Sequence, residues 1–131
     1  MLLRDLRICK IEWTAIDTIC TLRFSFNNGT TSLQLGNRFP CQETFVVPSD
    51  TQIKMVKVAV RGKQEYLEAM NFYDAQHNLI LSIKGKTVVG QMETLKLAAD
   101  QHLVGIKGNM CDNYIRGIVF FVWSNGMGVK G

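Results

Sequence analysis

The chain has 131 residues, 47% of them apolar and 20% charged, with a formal net charge of +4. That balance excludes a disordered tail, and the length fits one domain whose core needs no disulfide or metal staple. No run reaches 18 apolar residues, which excludes a spanning helix, and the basic residues are too dispersed for a nucleic-acid footprint.

From the N-terminus, Met1-Leu2-Leu3-Arg4-Asp5-Leu6-Arg7 breaks its apolar residues with charges, unlike the h-region of a signal peptide, so a cytoplasmic protein is expected. Cys9, Ile11 and Trp13 alternate with Lys10 and Glu12, the period of a half-buried strand. Leu22, Phe24 and Phe26 form a second strand, and Asn28-Gly29 suits the tight turn that follows. Leu33 and Leu35 resume the alternation, Asn37 to Gln42 read as a loop, and Thr44 to Val47 read as a short strand closed by Pro48-Ser49-Asp50.

The same plan returns twice. Val56, Val58 and Val60 alternate, Arg61 to Glu65 connect, and Tyr66 to Tyr73 and Leu79 to Ile83 flank a turn at Asp74 to Asn78. Leu95 and Leu97 precede Leu103, Val104 and Ile106; Gly108 to Asn113 read as a loop, Tyr114 to Trp123 as a strand, and Gly128-Val129-Lys130 as a short returning strand. Ile19 to Phe24, Leu67 to Phe72 and Ile115 to Phe120 are spaced by 48 residues, and each is apolar at its first, fourth and sixth positions. Such a period marks a repeat architecture. Helical spacing is hinted at over Tyr66 to Asp74 and Thr94 to Leu103, but the repeat argues for strands there. The expectation is a single all-β domain over 1–131, built from units of about 6–36, 44–85 and 94–131, each a Greek key.

Cys9, Cys20, Cys41 and Cys111 make no C-x-x-C pair, and His77 and His102 are scattered, so no metal and no cofactor is expected. Cys9 and Cys20 read as buried free thiols. Neither histidine has a suggestively spaced nucleophile, and both read as surface turn residues, so the chain is not expected to be an enzyme. Lys54, Lys57, Arg61 and Lys63 form the one basic cluster, either a site for phosphate or an acidic partner or the solvated face of a strand.

Gln101 to Gly108, followed by Tyr114-Ile115-Arg116-Gly117-Ile118, resembles the last key of jacalin-type lectins; Glu43 to Pro48, Met55 to Val58, Leu67 to Met70 and Phe72-Tyr73-Asp74 resemble the middle key. The resemblance spans about Leu6 to Trp123 and is nearest to the zymogen-granule-like branch. It implies a β-prism of three four-stranded sheets with pseudo-threefold symmetry, and a carbohydrate or glycoprotein as ligand.

In that family the sugar site uses a glycine-rich N-terminal loop and a G-x-x-x-D loop in the last key. Arg116 stands where the family aspartate would be, and an arginine accepts no hydrogen bond; the glycine-rich loop has no counterpart. A literal G-x-x-x-D does occur at Gly108-Asn109-Met110-Cys111-Asp112. Two readings stay open for it. It is a relocated site with Gly108, Asn109, Asp112, Asn113, Tyr114 and Arg116 as contacts, or it is a polar turn between strands. Gln64 to Glu68 echoes the motif in the middle key. The functional expectation is therefore a non-enzymatic lectin-like binding module. The alternative is a docking subunit, with its sugar site lost, that takes a protein partner or a second copy of the chain at an open sheet edge.

Overall fold

The computed structural model describes residues 6–32, 34–36, 40–62, 66–111 and 114–124; for 109–111, 114, 117 and 119 it describes the backbone alone. All regular structure in these residues is β-strand: β1 (Ile8–Ala15), β2 (Ile19–Phe26), β3 (Glu43–Val46), β4 (Met55–Arg61), β5 (Tyr66–Tyr73), β6 (Leu79–Lys84), β7 (Met92–Lys96), β8 (Gln101–Cys111) and β9 (Tyr114–Ser124). The expected all-β class holds, and the two stretches with helical hints are strands or their turns.

The three copies of the repeat fall on β2, β5 and β9, the second strand of each unit. In the first unit the order is β2-β1-β3, with bridges Leu22↔Leu35 and Ser25↔Thr31 on the outer side of β2. The second unit is a full four-stranded key, with β7-β4-β5 continued by β6 on β5, so β3, expected to open the second unit, pairs into the first, and β7, expected largely in the third, pairs into the second. The third unit is the long antiparallel pair β8–β9. One backbone pairing, Tyr66↔Arg116, joins the second and third units. The strand expected at Gly128 to Lys130 lies outside the described residues, as does Leu33.

The symmetry extends to the irregularities. Each first strand loses register near the end that leads into its hairpin, at Thr14/Ala15, Ala59/Val60 and Gly108/Asn109. A bulge adds twist and bends the strand, so each unit curls inward at the same place.

Apolar residues at the fourth and sixth repeat positions meet in the middle. Leu22, Phe24, Met70 and Phe72 are fully buried, and their third-unit equivalents Ile118 and Phe120 pack half-buried against them. The rings of Phe24 and Phe72 meet edge to face, 6.0 Å apart at 78°, the arrangement aromatic quadrupoles favour.

Four further sequence expectations change. Gly108 to Cys111 are not loop: the β8–β9 ladder runs on through them to Cys111↔Tyr114, and the bulge absorbs the glycine. His102 is not a surface turn residue; it lies half-buried on β8 beside Trp123, with ring centroids 6.1 Å apart. The basic cluster is no patch. Lys54 is buried and donates to the carbonyls of Gln101 and Ala99 at 2.6 and 3.4 Å, Lys57 lies over the Tyr73 ring, and Lys63 is outside the described residues. Finally, Cys9 is half-buried rather than buried, while Cys20 is buried as expected. Cys9 lies next to Lys10↔Ser25 and Cys20 next to Ala15↔Ile19. Cys9, Cys20 and Cys41 are free thiols.

A candidate ligand cleft at the hairpin end

The hairpin β1–β2 turns at 16–18 and β4–β5 turns between Arg61 and Tyr66. The β6–β7 connection ties these two turns into one end of the prism. The Lys86 amide donates to the Ile16 carbonyl, and the Gly85 amide donates to the Glu68 carbonyl, both at 2.8 Å. Gly85 permits this approach, because an added Cβ would sit on the Asp17 carbonyl. The Tyr66↔Arg116 pairing brings the turn end of the β8–β9 hairpin to the same end.

Behind the turns lies a buried ionic junction. Glu68 on β5 is 0% exposed. Its Oε1 accepts from the amides of Gly90 and Val89 at 2.7 and 3.1 Å, and its Oε2 accepts from Arg61 Nε at 2.6 Å. Arg61 Nη2 also donates to the Thr87 carbonyl at 3.0 Å. One carboxylate thus fixes the guanidinium at the end of β4 and the loop that leads into β7. Gly90 is the residue that lets this loop close, since a Cβ there would meet the Val60 carbonyl.

Burial pushes the Glu68 carboxyl up, but the Gly90 amide, the Arg61 guanidinium and the Val89 amide outweigh it and hold it below the usual glutamate range. A folded-state value below the unfolded one, about 4.3, adds stability that is complete above that pH and is lost as pH falls through the folded value. Glu68 is therefore expected to contribute its full stability at pH 7 and progressively less below about pH 4. Urea midpoints measured from pH 7 down to pH 3 should fall less steeply for Glu68→Gln than for the parent.

In front of this junction opens a cleft of about 280 Å³ lined by Asp17, Thr18, Arg61, Tyr66, Lys86 and Thr87. Its lining holds donors and acceptors together: a guanidinium, an ammonium, a carboxylate, hydroxyls and one phenol. Thr18 is 3% exposed, and its Oγ1 has no hydrogen-bond partner among the described residues. A buried hydroxyl without a partner is costly.

The residues singled out from the sequence fare unevenly. Gly108 and Asn109 lie on β8 and Tyr114 opens β9. Asp112 and Asn113 lie outside the described residues. Arg116 is exposed on β9, near the turn of the same hairpin, and has no carboxylate partner among the described residues. Glu68, the middle-key echo of the motif, is no sugar acceptor, because both its oxygens are spent inside the fold. The cleft residues Asp17, Thr18, Lys86 and Thr87 were missed. The only sequence signal for them was the pair Gly85 and Gly90 bracketing a short connection that begins with Lys86 and Thr87.

No protein-family model matches the chain, and no curated protein matches it. Solved structures do. A prostate-specific WGA16 glycoprotein lectin superposes with a TM-score of 0.72 at 16% identity, covering 90% of this chain and 83% of that one. AcmJRL, a mannose-binding jacalin-related lectin from Ananas comosus, does so with a TM-score of 0.67 at 13% identity, over 90% and 83%. PirB matches with a TM-score of 0.69 at 16% identity over 91% of this chain, but this chain spans only 29% of PirB. The fold is that of the jacalin-related lectins, a β-prism.

Proposed function

We propose that the protein is a non-enzymatic, lectin-like binding module whose ligand is a carbohydrate. The observation that carries this reading is the polar cleft among the hairpins at one end of the prism. Sugar recognition asks for fixed donors and acceptors opposite neighbouring hydroxyls and for an aromatic face to pack on the ring. Asp17 and the threonines supply the former, and Tyr66 stands beside them. The cleft is held by backbone bonds and by Glu68, so binding a rigid ring costs little reordering. AcmJRL shares the fold and binds mannose, which supports the ligand class.

A second reading, a docking subunit, is favoured by Arg116, which is exposed without a carboxylate partner among the described residues. A glycan array run at low and high salt separates the two. Binding of a neutral glycan through hydroxyls is expected to change little between 50 mM and 500 mM salt, and an acidic glycan, though weakened by salt, still registers on the array at low salt, whereas docking of a protein partner through Arg116 gives no glycan signal and weakens as the Debye length falls from about 14 to about 4 Å. Failure of the folded protein to bind any glycan at millimolar concentration would overturn the carbohydrate reading in favour of the docking one.

A further inference from the structure

We propose that the cleft between the β1–β2 and β4–β5 hairpins takes an acidic sugar, a pyranose bearing a carboxylate, with Lys86 and Arg61 meeting the carboxylate and Asp17 and Thr18 meeting ring hydroxyls. This rests on the carbohydrate reading above and narrows it to one class of glycan.

Charge and burial carry the argument. Arg61 is positioned before any ligand arrives, with Nε and Nη2 committed to Glu68 and the Thr87 carbonyl. Among the described residues nothing binds its Nη1, and nothing binds the exposed ammonium of Lys86. Two cations therefore border one cleft with donors to spare. A neutral sugar would leave Lys86 without a charged counterpart and the Arg61 Nη1 without an anionic acceptor, and a carboxylate would meet two charge-assisted donors. Asp17 makes the cleft unsuited to a bare anion. Its carboxylate repels a simple phosphate or sulfate, yet it accepts from hydroxyls, so the ligand must carry donors as well as negative charge.

Thr18 is the second, independent sign. Thr18 lines the cleft, and its hydroxyl, buried within the wall, lacks a partner among the described residues. An isosteric apolar residue would serve the fold better, because removing an unsatisfied buried polar group is neutral or stabilising. A threonine kept there at a cost to stability fits a group that finds its partner in a ligand.

The test uses the full chain and isothermal titration with four probes: methyl β-glucuronide, the methyl glycoside of N-acetylneuraminic acid, methyl β-glucoside and sodium sulfate. At least one acidic glycoside is expected to bind, about tenfold or more tighter than the neutral glucoside and the sulfate, because a charge-assisted hydrogen bond is worth more than a neutral one. Lys86→Ala is expected to reduce that preference, leaving the part that Arg61 supplies. Thr18→Val is expected to weaken the acidic probe about tenfold while raising the melting temperature. A structural role for the hydroxyl would instead lower the melting temperature. Binding of methyl β-glucoside as tightly as the acidic probes would overturn this inference and leave the carbohydrate reading standing. Binding of sulfate alone would overturn it in favour of a bare anion site. Binding of none of the glycosides, with a glycan array also blank, would overturn both.

Discussion

Phe72→Ala is expected to destabilise the fold by about 3–5 kcal/mol, the cost of removing a fully enclosed aromatic ring and leaving a cavity behind. Phe72 is 0% exposed and lies at the centre of three units, so no single strand can relax into the space without leaving its own sheet. The edge-to-face contact with Phe24 is lost as well, a further 0.5–1.5 kcal/mol, roughly, beyond area burial. Phe24→Ala should cost a similar amount. The double variant should fall short of the sum of the two single ones, because each single variant already forfeits the shared contact. Phe120→Ala supplies the contrast. It occupies the equivalent third-unit position but is half-buried, so it should cost less than either. Urea denaturation of the four variants checks this. A loss below about 1 kcal/mol for Phe72→Ala would be typical of a surface site and would remove Phe72 from the centre of the core.

This centre was legible in the sequence because it rests on local order. Period-two alternation sets which face each residue takes, and the spacing between Ile19, Leu67 and Ile115 sets which strands are equivalent. The candidate cleft rests on nothing local. Thr18, Arg61 and Lys86 come from three connections far apart in the chain. What joins them is the close backbone approach at Gly85 and the internal spending of the Glu68 charge. Period-two reasoning would also have sent Glu68 outward, since it follows Leu67, which points in. The strand is covered on both faces there, so both residues are buried. Gly108 misled for a related reason. Glycine followed by asparagine reads as a turn, but a bulge in a long hairpin also uses such a pair, and only the partner strand decides between them. Lys54 misled because its long apolar stem let the ammonium reach the carbonyls of Ala99 and Gln101 from a buried backbone position.

Glu68→Ala is expected to cost about 3 kcal/mol, near the lower end of what breaking a buried ion pair costs. The lower end applies because the Arg61 side chain is 39% exposed, so its guanidinium can rehydrate once its partner has gone. The amides of Val89 and Gly90 fare worse, since both lose their acceptor in a part-buried setting, and an orphaned donor costs about 1–3 kcal/mol. Glu68→Gln divides the effect. Its carbonyl oxygen can still accept from the two amides, but its NH₂ then faces the Arg61 donors, so it should restore the loop without restoring the ion pair. Stability should rank parent, Gln, Ala by urea midpoint at pH 7. Hydrogen exchange at the Val89 and Gly90 amides should be fast in the Ala variant and near the parent rate in the Gln variant. Lys86 and Thr87 lie on the same connection, so ligand affinity should follow the exchange ranking rather than the stability ranking. If Glu68→Ala lowers stability by less than about 1 kcal/mol and leaves Gly90 protected, then Glu68 does not hold the loop, and the rigid cleft that both functional readings draw on has some other support.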